Sequence, residues 1–130
     1  MTLSRKIDPN LGYNVVGIYP HNMIEEQKEG FTIRLGRSKT ENARLLLDAS
    51  PQDLWIHLSG HPSGHAVITH HEGKKFPRRV IKRAAVLVKQ YSKRKSDKKV
   101  SCDVAHIKDL LPTKQLAEVS VSKLMCVVII

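Results

Sequence analysis

Cysteine is scarce in these 130 residues: Cys102 and Cys126 are the only two. Two thiols do not make a disulfide framework, so the fold has to be held by its core, and both are expected as reduced side chains in strand-like runs. Aromatics are nearly as scarce, with Tyr13, Tyr19, Phe31, Trp55, Phe76 and Tyr91 scattered through the chain. No adjacent pair marks a platform for stacking nucleobases. The longest apolar run, Leu124–Ile130, has seven residues, too few to span a bilayer, and the N-terminal segment lacks the apolar core of a secretion signal. A cytoplasmic or nuclear protein without membrane insertion is expected. Also missing are a nucleophile elbow, a P-loop, a dinucleotide fingerprint and an HExxH helix. Catalytic residues, a metal and a cofactor are therefore not expected.

The most telling scarcity is of acid. From Gly73 to Ser96 there is none. Lys74–Lys99 holds Lys74, Lys75, Arg78, Arg79, Lys82, Arg83, Lys89, Lys93, Arg94, Lys95, Lys98 and Lys99 against Asp97 alone. Ten basic and eleven acidic residues are left for the rest of the chain, so the formal charge of +10 resides in this one segment. Like charges at helical i,i+4 spacing cost a few tenths of a kcal/mol per pair, roughly. A face that tolerates that cost is expected to meet a polyanion, and nucleic acid is the first candidate.

Length and composition suit one folded domain. Val15–Tyr19 reads as a strand, His21–Gly30 as a charged turn, and Phe31–Leu35 as a half-buried strand. Ser38 or Thr40 caps a helix reaching Asp48, with Ala43, Leu46 and Leu47 on its apolar face. Leu54–Leu58 and His65–His70 form a hairpin around GHPSG, with Trp55 and His57 on the face opposite Leu54, Ile56 and Leu58. Pro77 opens a helix to about Ser92. Its apolar arc is Ile81, Ala84, Ala85, Leu87, Val88 and Tyr91, and Val86 alone falls outside. A basic loop at Lys93–Lys99, a strand at Val100–Val104 and one helical turn before Pro112 follow. Two closing strands, Ala117–Val121 and Met125–Ile130, complete the chain. The order predicts an α+β fold: a mixed or mostly antiparallel sheet with two main helices packed on it.

His57, His61, His65, His70 and His71 crowd into 15 residues. Pro62 and the neighbouring glycines exclude one continuous helix, so the i,i+4 spacing is not a helical zinc motif. His57 and His65 are expected to face each other across the hairpin. Trp55 suits either a core anchor or an exposed stacker.

Several segments, in order, resemble the NFACT-R domain family. GFTIRLGRSKTEN (Gly30–Asn42) is similar to its opening, DLWIHL (Asp53–Leu58) to its Asp-x-Trp-x-His signature, and SGHPSGHAVI (Ser59–Ile68) to the stretch that follows. RAAVLVKQYSKRK (Arg83–Lys95) resembles its helix end, and KKVSCDVAHIKDL (Lys98–Leu110) the next strand. PSGH stands where the family has the order Pro-Gly-Ser-His, and DLLPTKQLAEV replaces a basic, glycine-containing stretch.

The resemblance implies a standalone domain over residues 30–130 after a divergent extension, 1–29, with a strand in it. It also implies RNA binding rather than catalysis. The family's longer members act in ribosome-associated quality control, on large ribosomal subunits carrying stalled peptidyl-tRNA. Their other domains are not expected here, and neither is tailing activity. Structured RNA, tRNA or ribosomal RNA, is thus the expected partner. The expected contacts are Lys74, Lys75, Arg78, Arg79, Lys82, Arg83, Lys89, Lys93, Arg94 and Lys95, with Arg37 and Lys39 at the edge. Arg37, Asn42, Asp53, Trp55, His57 and His65 carry the signature. A DNA-binding module, or an adaptor docking on an acidic protein, would use the same cations. Nothing in the sequence fixes the oligomeric state.

Overall fold

The computed structural model describes residues 23–130. The strand expected at Val15–Tyr19 lies outside them. Strands β1 (Ile24–Lys28), β2 (Phe31–Leu35), β3 (Leu54–Leu58), β4 (Ala66–Ile68), β5 (Ser101–His106) and β8 (Cys126–Ile129) form one sheet in the order β1-β2-β4-β3-β5-β8. Every pairing in it is antiparallel. Helices α1 (Lys39–Asp48) and α2 (Arg78–Gln90) complete the α+β fold. A small ribbon of β6 (Leu110–Pro112) and β7 (Val119–Val121) stands apart from the main sheet. No described helix is long and apolar enough to cross a membrane.

The stretch read as a charged turn contains β1. It joins β2 through a two-residue turn at Glu29 and Gly30, with φ of 51° and 84°. Positive φ at both central residues is the turn geometry that matches the twist of a hairpin. The strand hides in the sequence because IEEQK supplies one apolar residue. Its inward positions, Glu26 and Lys28, are charged, and the pairing that tolerates Glu26 comes from a helix fifty-seven residues away.

α1 starts where expected. Ser38 caps it by accepting from the Glu41 amide at 3.1 Å, and the Glu41 carboxylate accepts from the Arg37 amide at 2.9 Å. That reciprocal pattern closes the first turn. Its buried face is not the expected one. Asn42 and Leu45 go inward, while Leu47 is 75% exposed. The helix docks through a polar anchor, Asn42, which a search for apolar periodicity skips.

The main core lies between α2 and one face of the sheet. Phe31, Ile33, Leu35, Leu54, Ile56, Leu58, Ala66, Ile68, Cys102 and Val104 meet Val80, Ile81, Ala84, Ala85, Leu87 and Val88. Each fully buried Ile, Leu or Val contributes about 1.5–3 kcal/mol relative to exposure. The arc on α2 is as the periodicity predicts, with Val86 37% exposed, except at its end. Tyr91 caps the helix with φ −100° and ψ 16°, off the helical track, and is 46% exposed. Leu45, Trp55, Val67 and Ala105 form a smaller apolar layer on the opposite side. Trp55 pairs directly with Val67 and Ala105.

The closing strands do not pair with each other. β7 turns back on β6, and β8 joins β5 as a sheet edge. The helical turn before Pro112 is a single 3-10 turn at Ile107–Asp109. Cys102 and Cys126 are free thiols.

Candidate nucleic-acid interface

α2 lies across β3, β4 and β2, so its outer arc faces away from the sheet. At 100° per residue, Arg78, Lys82 and Lys89 share one flank of that arc within about 40°. Arg79 and Arg83 are rotated about 100–140° from Arg78, toward the β1 edge. There the expected uniform run of free cations is divided. The Arg79 guanidinium donates to both oxygens of Glu29, at 2.7 and 2.7 Å. Arg83 donates to both oxygens of Glu26, at 2.6 and 2.8 Å. Two parallel charge-assisted bonds of this length are the strong form of an ion pair. The hydrogen bonds from Arg83 and Arg79 hold the carboxyls of Glu26 and Glu29 below the usual carboxylate range. The same bonds raise both arginines.

Arg78 and Lys82 are exposed and Lys89 is half-buried, and none has an acidic partner among the described residues. Lys74 and Lys75 precede the helix on an exposed turn whose Lys74 amide bonds the His71 carbonyl. Past the helix, Ser92 folds the chain over: its hydroxyl donates to Lys89 O and accepts from the Arg94 amide. Arg94 reaches Asp97 at 3.4 Å and His61 Nδ1 at 3.1 Å. Lys93 and Lys95 project from the same turn, exposed and without an acidic partner among the described residues. Cations thus stand on the turn before α2, on one flank of its outer arc and on the turn after it. Lys39 is exposed, and Arg37 pairs with Glu41 at 3.6 Å.

The signature residues sit elsewhere, on the α1 side of the sheet. Trp55 is buried and donates from Nε1 to His65 Nδ1 at 2.8 Å. The His65 amide donates to Asn42 Oδ1 at 3.1 Å, which ties the hairpin to α1. Asp53, also buried, accepts from the Ser50 amide at 2.9 Å and the His70 amide at 2.8 Å, tying the start of β3 to the end of β4. His57 stacks on Trp55 at 5.5 Å and meets His65 edge-on at 4.9 Å, facing it across the hairpin as expected. Burial lowers the pKa of His57. It pushes His65 down to about 3, with the His57 charge adding to the effect. These side chains organise the scaffold, and Trp55 is a core anchor. Among the described residues, no three His, Cys, Asp or Glu side chains are grouped to hold a metal ion.

Sequence reasoning missed Glu26 and Glu29. The signal was present: Ile24, Glu26 and Lys28 alternate ahead of a Glu-Gly turn and a clear strand, which is a hairpin pattern with a polar inner face.

Coiled-coil domain-containing protein 25 of Bos taurus is 35% identical over 65 residues, 48% of this chain and 31% of the relative. The matched region thus spans under a third of that relative's length. The fold is similar to the C-terminal of the fibronectin/fibrinogen-binding protein from Streptococcus suis, with a TM-score of 0.71 at 24% identity. That match covers 82% of this chain and 43% of the other. The family described as NFACT protein RNA binding domain matches residues 20–120, from ahead of β1 to within β7. With most of its length so matched, this chain belongs to the NFACT RNA-binding domain family.

Proposed function

We propose that this chain binds structured RNA, tRNA or ribosomal RNA, through α2 and its two flanking turns, as part of ribosome-associated quality control in the cytoplasm. Membership of an RNA-binding family supports the nucleic-acid class. The observation that carries the finer reading is a cationic surface without an aromatic cluster. Most cations of Lys74–Lys95 are exposed, Phe31 and Trp55 are buried, and Tyr91 is the one exposed aromatic among the described residues. A surface with phosphate-binding side chains and no stacking platform reads backbone and shape, which is how proteins recognise folded RNA. No catalytic step belongs to this reading.

The test is tRNA binding by fluorescence anisotropy from 50 to 200 mM salt, with duplex DNA of equal charge as competitor. Each phosphate neutralised adds about 0.7–0.9 to the slope of log affinity against log salt. Wild type is expected to show a steep slope and to prefer tRNA. Arg78→Glu/Lys82→Glu loses affinity and slope together. Salt-insensitive or absent binding overturns the reading, and equal competition by duplex DNA overturns its RNA specificity.

A further inference from the structure

The like-charged face of α2 is not used evenly by the fold. Arg79 and Arg83 are each gripped by a carboxylate in a two-bond contact of 2.6–2.8 Å. That is the geometry in which a guanidinium takes a phosphate. The two carboxylates come from one place, β1 and the turn after it. Glu26 points to the α2 side because its register partner, Ile33, does. Glu29 is held there by a turn with φ of 51°, a conformation an ordinary side chain seldom adopts. Both acids are therefore placed by backbone geometry, not by chance encounter of flexible side chains.

We infer that β1 is a built-in competitor for RNA phosphate. Glu29 occupies Arg79 and Glu26 occupies Arg83, so that the RNA backbone is confined to the opposite flank of α2, along Arg78, Lys82 and Lys89. This rests on the RNA-binding reading above and assigns the strand's path on that surface. The open flank lies across the outer arc from Arg79 and Arg83, and from Arg78 to Lys89 it runs about 16 Å along the helix axis. It leads into the turn bearing Lys93 and Lys95. A single stretch of sugar–phosphate backbone laid lengthwise meets all five. A backbone displaced toward β1 meets two arginines whose donor edges are already taken by Glu29 and Glu26. The acids thus set both position and orientation of the RNA on an otherwise featureless cationic face.

The experiment compares three double variants of the full chain in the same tRNA salt series. Glu26→Gln/Glu29→Gln keeps the shape, removes the competing charge and breaks each two-bond grip, because the amide oxygen accepts one guanidinium N–H while the amide NH2 can only donate. It is expected to steepen the salt slope by about 1.4–1.8, the equivalent of two added phosphate contacts. Its affinity advantage over wild type is then about ten times larger at 50 mM than at 200 mM salt. Arg78→Gln/Lys82→Gln is expected to flatten the slope by a similar amount, and Arg79→Gln/Arg83→Gln to leave it unchanged. If the last variant fails to fold, the glutamate variant alone decides the matter. An unchanged slope in Glu26→Gln/Glu29→Gln, or equal losses in the two arginine-containing variants, overturns the inference and leaves RNA binding standing. Wild type without salt-dependent binding overturns both.

Discussion

Acidification should destabilise this protein through His65 well before its carboxylates protonate. The ring is buried, and its Nδ1 accepts the Trp55 indole N–H at 2.8 Å, so the neutral ring carries its proton on Nε2. A second proton would have to enter on Nδ1, opposite an indole that can only donate. Burial and the neighbouring His57 hold the native pKa down at about 3, against 6.5 for a free histidine. The unfolded chain therefore takes up a proton below pH 6.5 that the native state refuses down to about pH 3. Within that window stability falls as pH falls, by about 1.4 kcal/mol per pH unit. Between pH 7.5 and 4.5 the loss is about 2–3 kcal/mol. His57, also lowered by burial, acts in the same direction. Urea unfolding followed by the single tryptophan measures this directly. Wild type should lose about 2–3 kcal/mol more over that range than His65→Gln, which cannot take the proton. The His65 imidazole resonance should stay at its neutral position throughout. Equal pH slopes in the two proteins, or a His65 titration centred near 6.5, would refute the account.

Asp53→Ala removes the acceptor of two backbone amides, Ser50 and His70, and should cost about 2–4 kcal/mol in urea unfolding, with RNA affinity of the folded protein unchanged. Gly64→Ala places a methyl group against the Gly36 carbonyl oxygen, a backbone atom that cannot swing aside. It should cost at least about 1–3 kcal/mol by thermal melting, and the Trp55–His65 bond next to it should weaken in the indole N–H resonance. Cys102 is fully buried and its thiol is pushed up to about 11 by burial, so it should resist alkylation until the protein unfolds. Half-buried Cys126 should label first, which peptide mapping after brief labelling will show.

What the sequence made legible was what local rules govern. The β3–β4 hairpin, the Ser38 cap and the apolar arc of α2 each follow from periodicity or turn chemistry in a short window. What escaped it was set by partners distant along the chain. β1 reads as a turn because its inward Glu26 is acceptable only beside Arg83. Asn42, though a signature residue, has no apolar periodicity to bury it, and its anchoring role comes from the His65 amide twenty-three positions away. Tyr91 reads as core because periodicity cannot tell where the helix stops. The site divided in the same way. The cationic segment was plain from composition, but which of its arginines are already occupied depends on the hairpin that composition concealed.

That division bears on why the first turn of α2 is built as it is. A helix N-terminus favours acidic residues, worth about 0.3–1 kcal/mol each, and disfavours cations. α2 opens with Arg78 and Arg79, has no acid in its first turn, and its Pro77 cap provides no side-chain bond. Glu29 offsets this for Arg79. Arg78 has no such partner among the described residues, and Lys82 one turn later adds like-charge repulsion. For stability alone Arg78 is the wrong residue. Arg78→Glu should therefore raise stability, by about 0.5–1 kcal/mol, through the helix dipole and an i,i+4 attraction to Lys82. It should at the same time weaken tRNA binding, since a phosphate contact becomes a repulsion. Thermal melting and anisotropy on the same preparation give both values. If the variant is less stable, Arg78 is retained for folding and the placement of the RNA on this flank loses its main physical support. A gain in stability with a loss of binding identifies Arg78 as a residue kept for its ligand at the fold's expense.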